Sequence, residues 1–292
     1  MKKLILSISV LTSALLADVS TVLPYAGSIN YGSNNNKSVK DKANLYGFHY
    51  SIGNLSYLLD FDYSHIKTKY KNSATPDLKQ DDVVLTYSKF YPTFMYKLGL
   101  HTINTTDKQL DNGWTIITGI GGYKFYGYNK LTYGIDGYYS SYKDGHDENY
   151  VAKKVKISQV TPYISYYKAL SLNLGNTVTA KLNYQHSSNF VKKSYTSYEF
   201  SDTIFYKKTF TTFKFYGGKM RTGIKDGGFV VYNTLDLMKN GYGVKFGYHL
   251  SKKTTLSISY DSNTYREFDQ SGTTITDDNT NSVIVASIGH TF

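Results

Sequence analysis

Cysteine is absent from the 292 residues. That excludes thiol catalysis, thiolate metal ligation and disulfide staples. Proline and methionine each number only four. Long apolar runs are missing as well. Beyond residue 17, Gly, Asn, Ser, Thr and Lys interrupt every hydrophobic stretch, and mean hydropathy is −0.39. No later segment supplies the ~20 apolar residues that a membrane-crossing helix needs. This excludes helical spans only, because spanning strands alternate apolar and polar residues and give a weak signal per segment.

The chain opens on Met1-Lys2-Lys3, an almost uncharged stretch from Leu4 to Leu16, and Ala17 before the polar Asp18. A short basic start, a short apolar run and a small residue at the end form the layout of a secretory signal peptide. The run is too short for a spanning anchor. Residues 1–17 are therefore expected to be the signal peptide, and 18–292 one domain.

Tyrosine (31), phenylalanine (15) and glycine (24) are abundant. Aromatics favour strands, and tyrosine suits the boundary between hydrocarbon and headgroups. The dominant period is two. In Leu55–Ser64, one face carries Leu55, Tyr57, Leu59, Phe61 and Tyr63, and the other carries Ser56, Leu58, Asp60, Asp62 and Ser64. Successive strand side chains point to opposite faces, so this is a strand with one apolar side and one mostly polar side. The pattern recurs around Tyr46–Ile52, Phe94–His101, Leu131–Asp136, Val178–Gln185, Tyr242–Leu250 and Leu256–Asp261. A soluble sandwich also alternates, with its apolar faces meeting in a dry core. The regularity and number of repeats favour an antiparallel up-and-down transmembrane β-barrel.

Strands are predicted at 20–31, 43–52, 55–68, 81–91, 93–102, 113–126, 130–142, 154–167, 177–187, 205–217, 228–236, 241–250, 253–262 and 282–292. That makes fourteen, with twelve as the alternative. Long polar stretches near 32–42, 71–80, 103–112, 143–153, 188–204 and 262–281 alternate with short turns at Gly53-Asn54, Pro92, Tyr128-Asn129-Lys130, 168–176 and Ser251-Lys252. Long outer loops and tight periplasmic turns alternate in this way in barrels, and an even strand count puts both ends in the periplasm. The basic, aromatic stretch 188–204 is expected to be an outer loop that folds inward or touches lipopolysaccharide. Between 205 and 241 the pattern is weak. Lys225-Asp226-Gly227-Gly228 looks like a turn, and 234–240 could form a short helical excursion.

The carboxyl end, Ser287-Ile288-Gly289-His290-Thr291-Phe292, places Phe292, His290 and Ile288 on one face. It resembles the β-signal that closes bacterial outer-membrane barrels, although His290 stands where that family usually carries an apolar or aromatic residue. The resemblance implies a Gram-negative outer-membrane barrel, porin-like at the level of class. Its partners would be the barrel-assembly machinery, outer-membrane lipid and lipopolysaccharide.

The formal charge is +11, with Lys2 and Lys3 in the leader. Export and scattered basic residues argue against nucleic acid as a partner. Lysines that line a pore, or loops on anionic lipopolysaccharide, account for the sign. The strand faces put Lys97, Lys181, Lys245, His49, His101, His249, Asp60, Asp62 and Asp136 inside, because a charge facing lipid at midplane costs about 2–4 kcal/mol. A barrel of this width exceeds the eight-stranded kind that side chains fill. The sequence is therefore read as a monomeric or weakly oligomeric channel for passive diffusion of small hydrophilic solutes, anions preferred, without cofactor or metal. The alternative is a structural or ligand-binding barrel with a closed lumen and exposed loops, its inner charges paired. A barrel hydrolase is a weaker third reading. His186-Ser187-Ser188-Asn189 is contiguous, so its members face opposite sides, and Asp60, Asp62 and His65 are ordinary lumen candidates. Asp144, Asp147 and Glu148, with Asp277 and Asp278, match no calcium-loop spacing.

Overall fold

In a computed structural model the described residues are 19–32, 38–106, 111–146, 152–188, 193–231, 236–268 and 274–292. The expected signal peptide lies outside them, as do Asp147 and Glu148. Fourteen long strands form the wall: β1 Val19–Tyr31, β2 Lys40–Gly53, β3 Tyr57–Tyr70, β4 Leu78–Phe90, β5 Phe94–Thr105, β6 Gly113–Tyr126 and β7 Asn129–His146. They continue as β8 Ala152–Ser171, β9 Leu174–Ser187, β10 Ser194–Tyr206, β11 Thr209–Gly218, β12 Leu237–His249, β13 Thr254–Phe268 and β14 Thr274–Thr291. Each pairs antiparallel with its neighbour in sequence. Val22↔His290 and Tyr25↔Ser287 join β1 to β14, which closes the sheet. A closed ladder leaves no unpaired edge, as a strand structure in lipid requires.

The faces are inverted relative to a soluble protein. Leu98, Ile120, Ile164, Leu182 and Ile258 are about half exposed on the outer side. Asp62, Gln80, His101, Thr115 and Gln159 are buried on the inner side. Burying a large apolar side chain is worth roughly 1.5–3 kcal/mol, so an outer surface of this kind is stable only against hydrocarbon. On β12 the outward apolar positions run from Tyr242 to Leu250. At ~3.3 Å per residue and a tilt near 40° that band is about 20 Å tall, near the apolar height of an outer-membrane barrel.

Six tight connections (54–56, 91–93, 127–128, 172–173, 207–208 and 250–253) lie at the end that holds both β1's start and β14's end. Seven longer ones lie at the other end. Two expectations need correction. Residues 194–206 form wall strand β10 and are not part of an outer loop. The alternation there is easy to miss, because Tyr195 turns inward and is 5 % exposed while Tyr198 turns outward. Conversely, 228–236 is not a wall strand. Its described part pairs only with Ile224–Lys225, in a separate small sheet, and periodicity cannot distinguish a short inserted strand from a wall strand. The total of fourteen stands, with one strand exchanged for another.

Candidate functional site

The described residues 219–231, which follow β11, enter the lumen. Met220–Arg221 first pairs with Leu237–Met238 at the rim of β12. Ile224 and Lys225 then pair with Val231 and Val230 as a small hairpin. Its turn holds three successive left-handed residues, Asp226 (φ 49°), Gly227 (φ 74°) and Gly228 (φ 113°). Gly228 is required twice. Only glycine adopts its backbone cheaply, and a Cβ there would collide with Ile117 Cδ1.

Wall side chains grip the segment's backbone. The Gln159 amide donates to the Ile224 carbonyl (2.7 Å) and accepts from the Ile224 N–H (2.9 Å). Gln185 donates to the Arg221 carbonyl (2.5 Å) and accepts from the Arg221 N–H (3.2 Å). Both amides thus act as single rungs of a β-ladder, which satisfies the backbone N–H and carbonyl groups of Arg221 and Ile224 on the wall side. Lys97 Nζ donates to the Gly227 carbonyl (3.2 Å), and His101 Nδ1 lies 2.9 Å from the Gly228 carbonyl. Ile224 and Phe229 pack with Val84, Ile117 and Tyr138. The outer end of the segment is tied down by the Asp236–Lys40 ion pair.

The inner charges foreseen from the sequence are largely paired. His49 Nε2 lies 3.3 Å from Asp60 and its Nδ1 3.5 Å from Asp62, with its ring edge-on to Phe229 at 5.2 Å. Tyr25 donates to Asp62 (3.0 Å). Lys97 meets Asp136 at 3.1 Å, His101 meets Asp82 at 3.1 Å, and Lys181 meets Glu199 at 3.8 Å. Lys245 lies over the Phe210 ring at 5.9 Å. His249 sits at the short-turn mouth, exposed and bonded to Thr255 (2.8 Å). These residues are brought onto one lumen face, but not to one point. Lys214, Asp226 and Asp261, none of them singled out as a pore residue, join Lys181, Lys225 and Glu199 around a cavity of about 420 Å³. Its opposite wall is apolar: Ile29, Leu45, Ile66, Val283 and Val285. Burial alone would raise the Asp226 carboxyl, yet Lys214, Lys181, Lys225 and Lys245 hold it below the ordinary carboxylate value. Burial pushes the Lys225 ammonium down despite Glu199 and Asp226.

The hydrolase candidates come apart. Ser187 is buried inward, whereas His186 is on the outer face beside Ser194 (3.1 Å), and Asn189 lies outside the described residues. His65 also faces out, 2.9 Å from Asp81, while Asp60 and Asp62 face in. No group of three metal-ligating side chains occurs among the described residues. At the carboxyl end, Ile288 is exposed on the outer face, and the His290 ring lies edge-on to Phe292 at 4.8 Å. The Phe292 N–H donates to the Ser20 carbonyl (2.9 Å).

No family model and no curated protein matches the sequence. Solved structures do share its shape. A Pseudomonas aeruginosa FadL homologue superposes with a TM-score of 0.52 at 10% identity, covering 94% of this chain and 89% of that one. The Ralstonia pickettii toluene transporter TbuX gives 0.51 at 8% identity, covering 95% and 90%. A TodX deltaS2S3 mutant, a monoaromatic hydrocarbon channel, gives 0.51 at 8% identity, covering 94% and 90%. At such identities the likeness is one of fold. Strand count, closure, inverted burial and these likenesses together establish the fold as a fourteen-strand antiparallel transmembrane β-barrel with both barrel ends on the side of the short turns.

Proposed function

We propose that the protein is a substrate-selective outer-membrane channel in which the 219–231 segment is the gate and the adjoining cavity is the binding station. One observation carries this reading: wall side chains hold a strained hairpin inside the lumen by its backbone, next to a cavity. An open diffusion pore would not need an inserted segment gripped from β5, β8 and β9. The ligand-binding, closed-lumen alternative raised by the sequence thus has more support than free diffusion of small hydrophilic solutes.

The lining suggests the solute. One wall offers apolar side chains and the other a cluster of lysines and carboxylates, so a small amphipathic molecule fits better than a sugar or a bare ion. Two of the similar folds bear the names toluene transporter and monoaromatic hydrocarbon channel, and both names are compatible with an apolar body on the solute. Lys97, Lys181 and Lys245 face the permeation path once the segment moves. Lys97 then loses its Gly227 contact and keeps Asp136.

Planar-bilayer recording of refolded protein tests the proposal. The wild type should be mostly closed. Replacing residues 222–236 by a short Gly-Ser turn should yield stable open steps. Flux of a small aromatic carboxylate should saturate in the wild type, whereas a sugar of equal size should pass poorly. Large, unselective wild-type conductance, unchanged by the replacement, would refute the gate.

A further inference from the structure

A second feature lies on the opposite side of the wall, at the outer rim of β2, β3 and β4. Lys42 stands directly across from Lys69, and Lys67 directly across from Lys79. Their inner neighbours Ala43 and Thr68 are buried, which puts all four lysines on the outer face. Directly opposed like charges destabilise a strand pair, and here two such pairs occupy adjacent ladders. The local carboxylates neutralise only Lys67. Asp77 takes Lys67 at 3.0 Å. Asp81 is engaged by Tyr63 (2.8 Å) and His65 (2.9 Å) one row lower. Among the described residues, Lys42, Lys69 and Lys79 have no carboxylate at ion-pair distance, and all three are exposed.

The rows below show what lies alongside. The Tyr46 and His65 rings lie 4.9 Å apart, tilted by 30°, and beneath them Phe48 packs on Phe61 (5.7 Å) and Tyr63 (6.2 Å). Lysines above aromatics above aliphatics is the order of a headgroup boundary, with flexible lysine stems able to lift their ammonium groups to headgroup level. The longer connections, and hence this rim, face outward. The lipid at that depth is therefore the outer leaflet's phosphorylated glycolipid.

We infer that Lys42, Lys67, Lys69 and Lys79 form a binding site for the phosphate groups of lipopolysaccharide, with its acyl chains along Phe48, Phe61 and Val83. Phosphate supplies the counter-charge that Lys42, Lys69 and Lys79 lack, and one phosphate can accept from two facing ammonium groups. The site needs only the barrel's location and not the gating proposal.

The test uses full-length protein refolded in neutral detergent and native mass spectrometry with added lipopolysaccharide. The wild type should retain a lipopolysaccharide adduct. The triple variant Lys42→Gln, Lys69→Gln, Lys79→Gln should bind roughly tenfold more weakly. A control triple at the periplasmic turns, Lys208→Gln, Lys252→Gln, Lys253→Gln, should bind like the wild type. In lipid-free detergent the rim variant should unfold at a temperature equal to or above the wild type's, because like-charge repulsion has been removed. That result separates loss of binding from loss of fold. Three outcomes would overturn the site: undiminished binding by the rim variant, equal binding of dephosphorylated lipopolysaccharide or phosphatidylglycerol, or full displacement by millimolar inorganic phosphate.

Discussion

Truncating both amide clamps, Gln159→Ala with Gln185→Ala, should unseat the inserted segment without disturbing the barrel. Each glutamine makes two hydrogen bonds to segment backbone. Each bond is worth about 1 kcal/mol net, and a buried N–H or carbonyl left without a partner costs a further ~1–3 kcal/mol. Water entering from the lumen will satisfy part of that, so a loss of about 2–4 kcal/mol per glutamine is reasonable. At 1.4 kcal/mol per decade, one substitution shifts the closed-to-open ratio by roughly 30- to 1,000-fold. The two sites lie three residues apart on one short segment, so their effects should not simply add. None of these bonds belongs to the wall ladder, and heat-modifiable mobility on gels should therefore stay at the wild-type value. Single-channel recording should show open probability rising toward that of the variant lacking 222–236. A double variant that refolds with native mobility yet keeps wild-type closed times would show that these glutamines do not hold a gate.

Four further outcomes follow from other contacts. Gly228→Val should favour the open state in the same recordings, since its φ of 113° and the approach of Ile117 both exclude a branched side chain. In the segment-deleted background, Lys245→Glu should move reversal potentials toward cation selectivity, because Lys245 has an aromatic ring beside it and no carboxylate at ion-pair distance among the described residues. Trp114, the single tryptophan, lies on the outer face near the outer end of β6, 5.8 Å from Tyr139. Its fluorescence should be quenched more by lipids brominated near the headgroup than by lipids brominated deep in the chain. Phe292→Ala should lower the amount of heat-modifiable protein recovered from outer membranes while leaving detergent refolding intact. Equal recovery would remove the assembly role assigned to Phe292, His290 and Ile288.

The wall was legible in the sequence for a physical reason. Lipid on one side and water or polar packing on the other impose a period of two on every strand, and a run such as Tyr242–Leu250 shows it without any knowledge of neighbours. The same constraint assigned His49, Lys97, His101 and Asp136 to the inner face. It could not say what they meet there. His49 finds Asp60 and Asp62 through the ladder register that sets His49 against Asp62, which depends on where the turn at 54–56 closes.

The inserted segment was illegible because its anchors are remote and chemically bland. Gln159 lies 65 residues from Ile224 and Gln185 lies 36 from Arg221, and a lone glutamine on an inward strand face looks like any lumen residue. Only the turn at Lys225-Asp226-Gly227-Gly228 stood out, through its local composition. A segment inside a barrel has protein on all sides, so neither the strand period nor the polarity of an exposed loop marks it. Its apolar residues therefore counted as wall. In place of periodicity, two signs could have shown that it was not: a stretch too short to span, and no polar face for the lumen. Val230 and Val231 are followed closely by Asp236, and no alternation connects them. In a barrel, a hydrophobic run that fails to alternate is better assigned to the lumen than to the lipid, because a wall strand there would leave its inner face apolar against water.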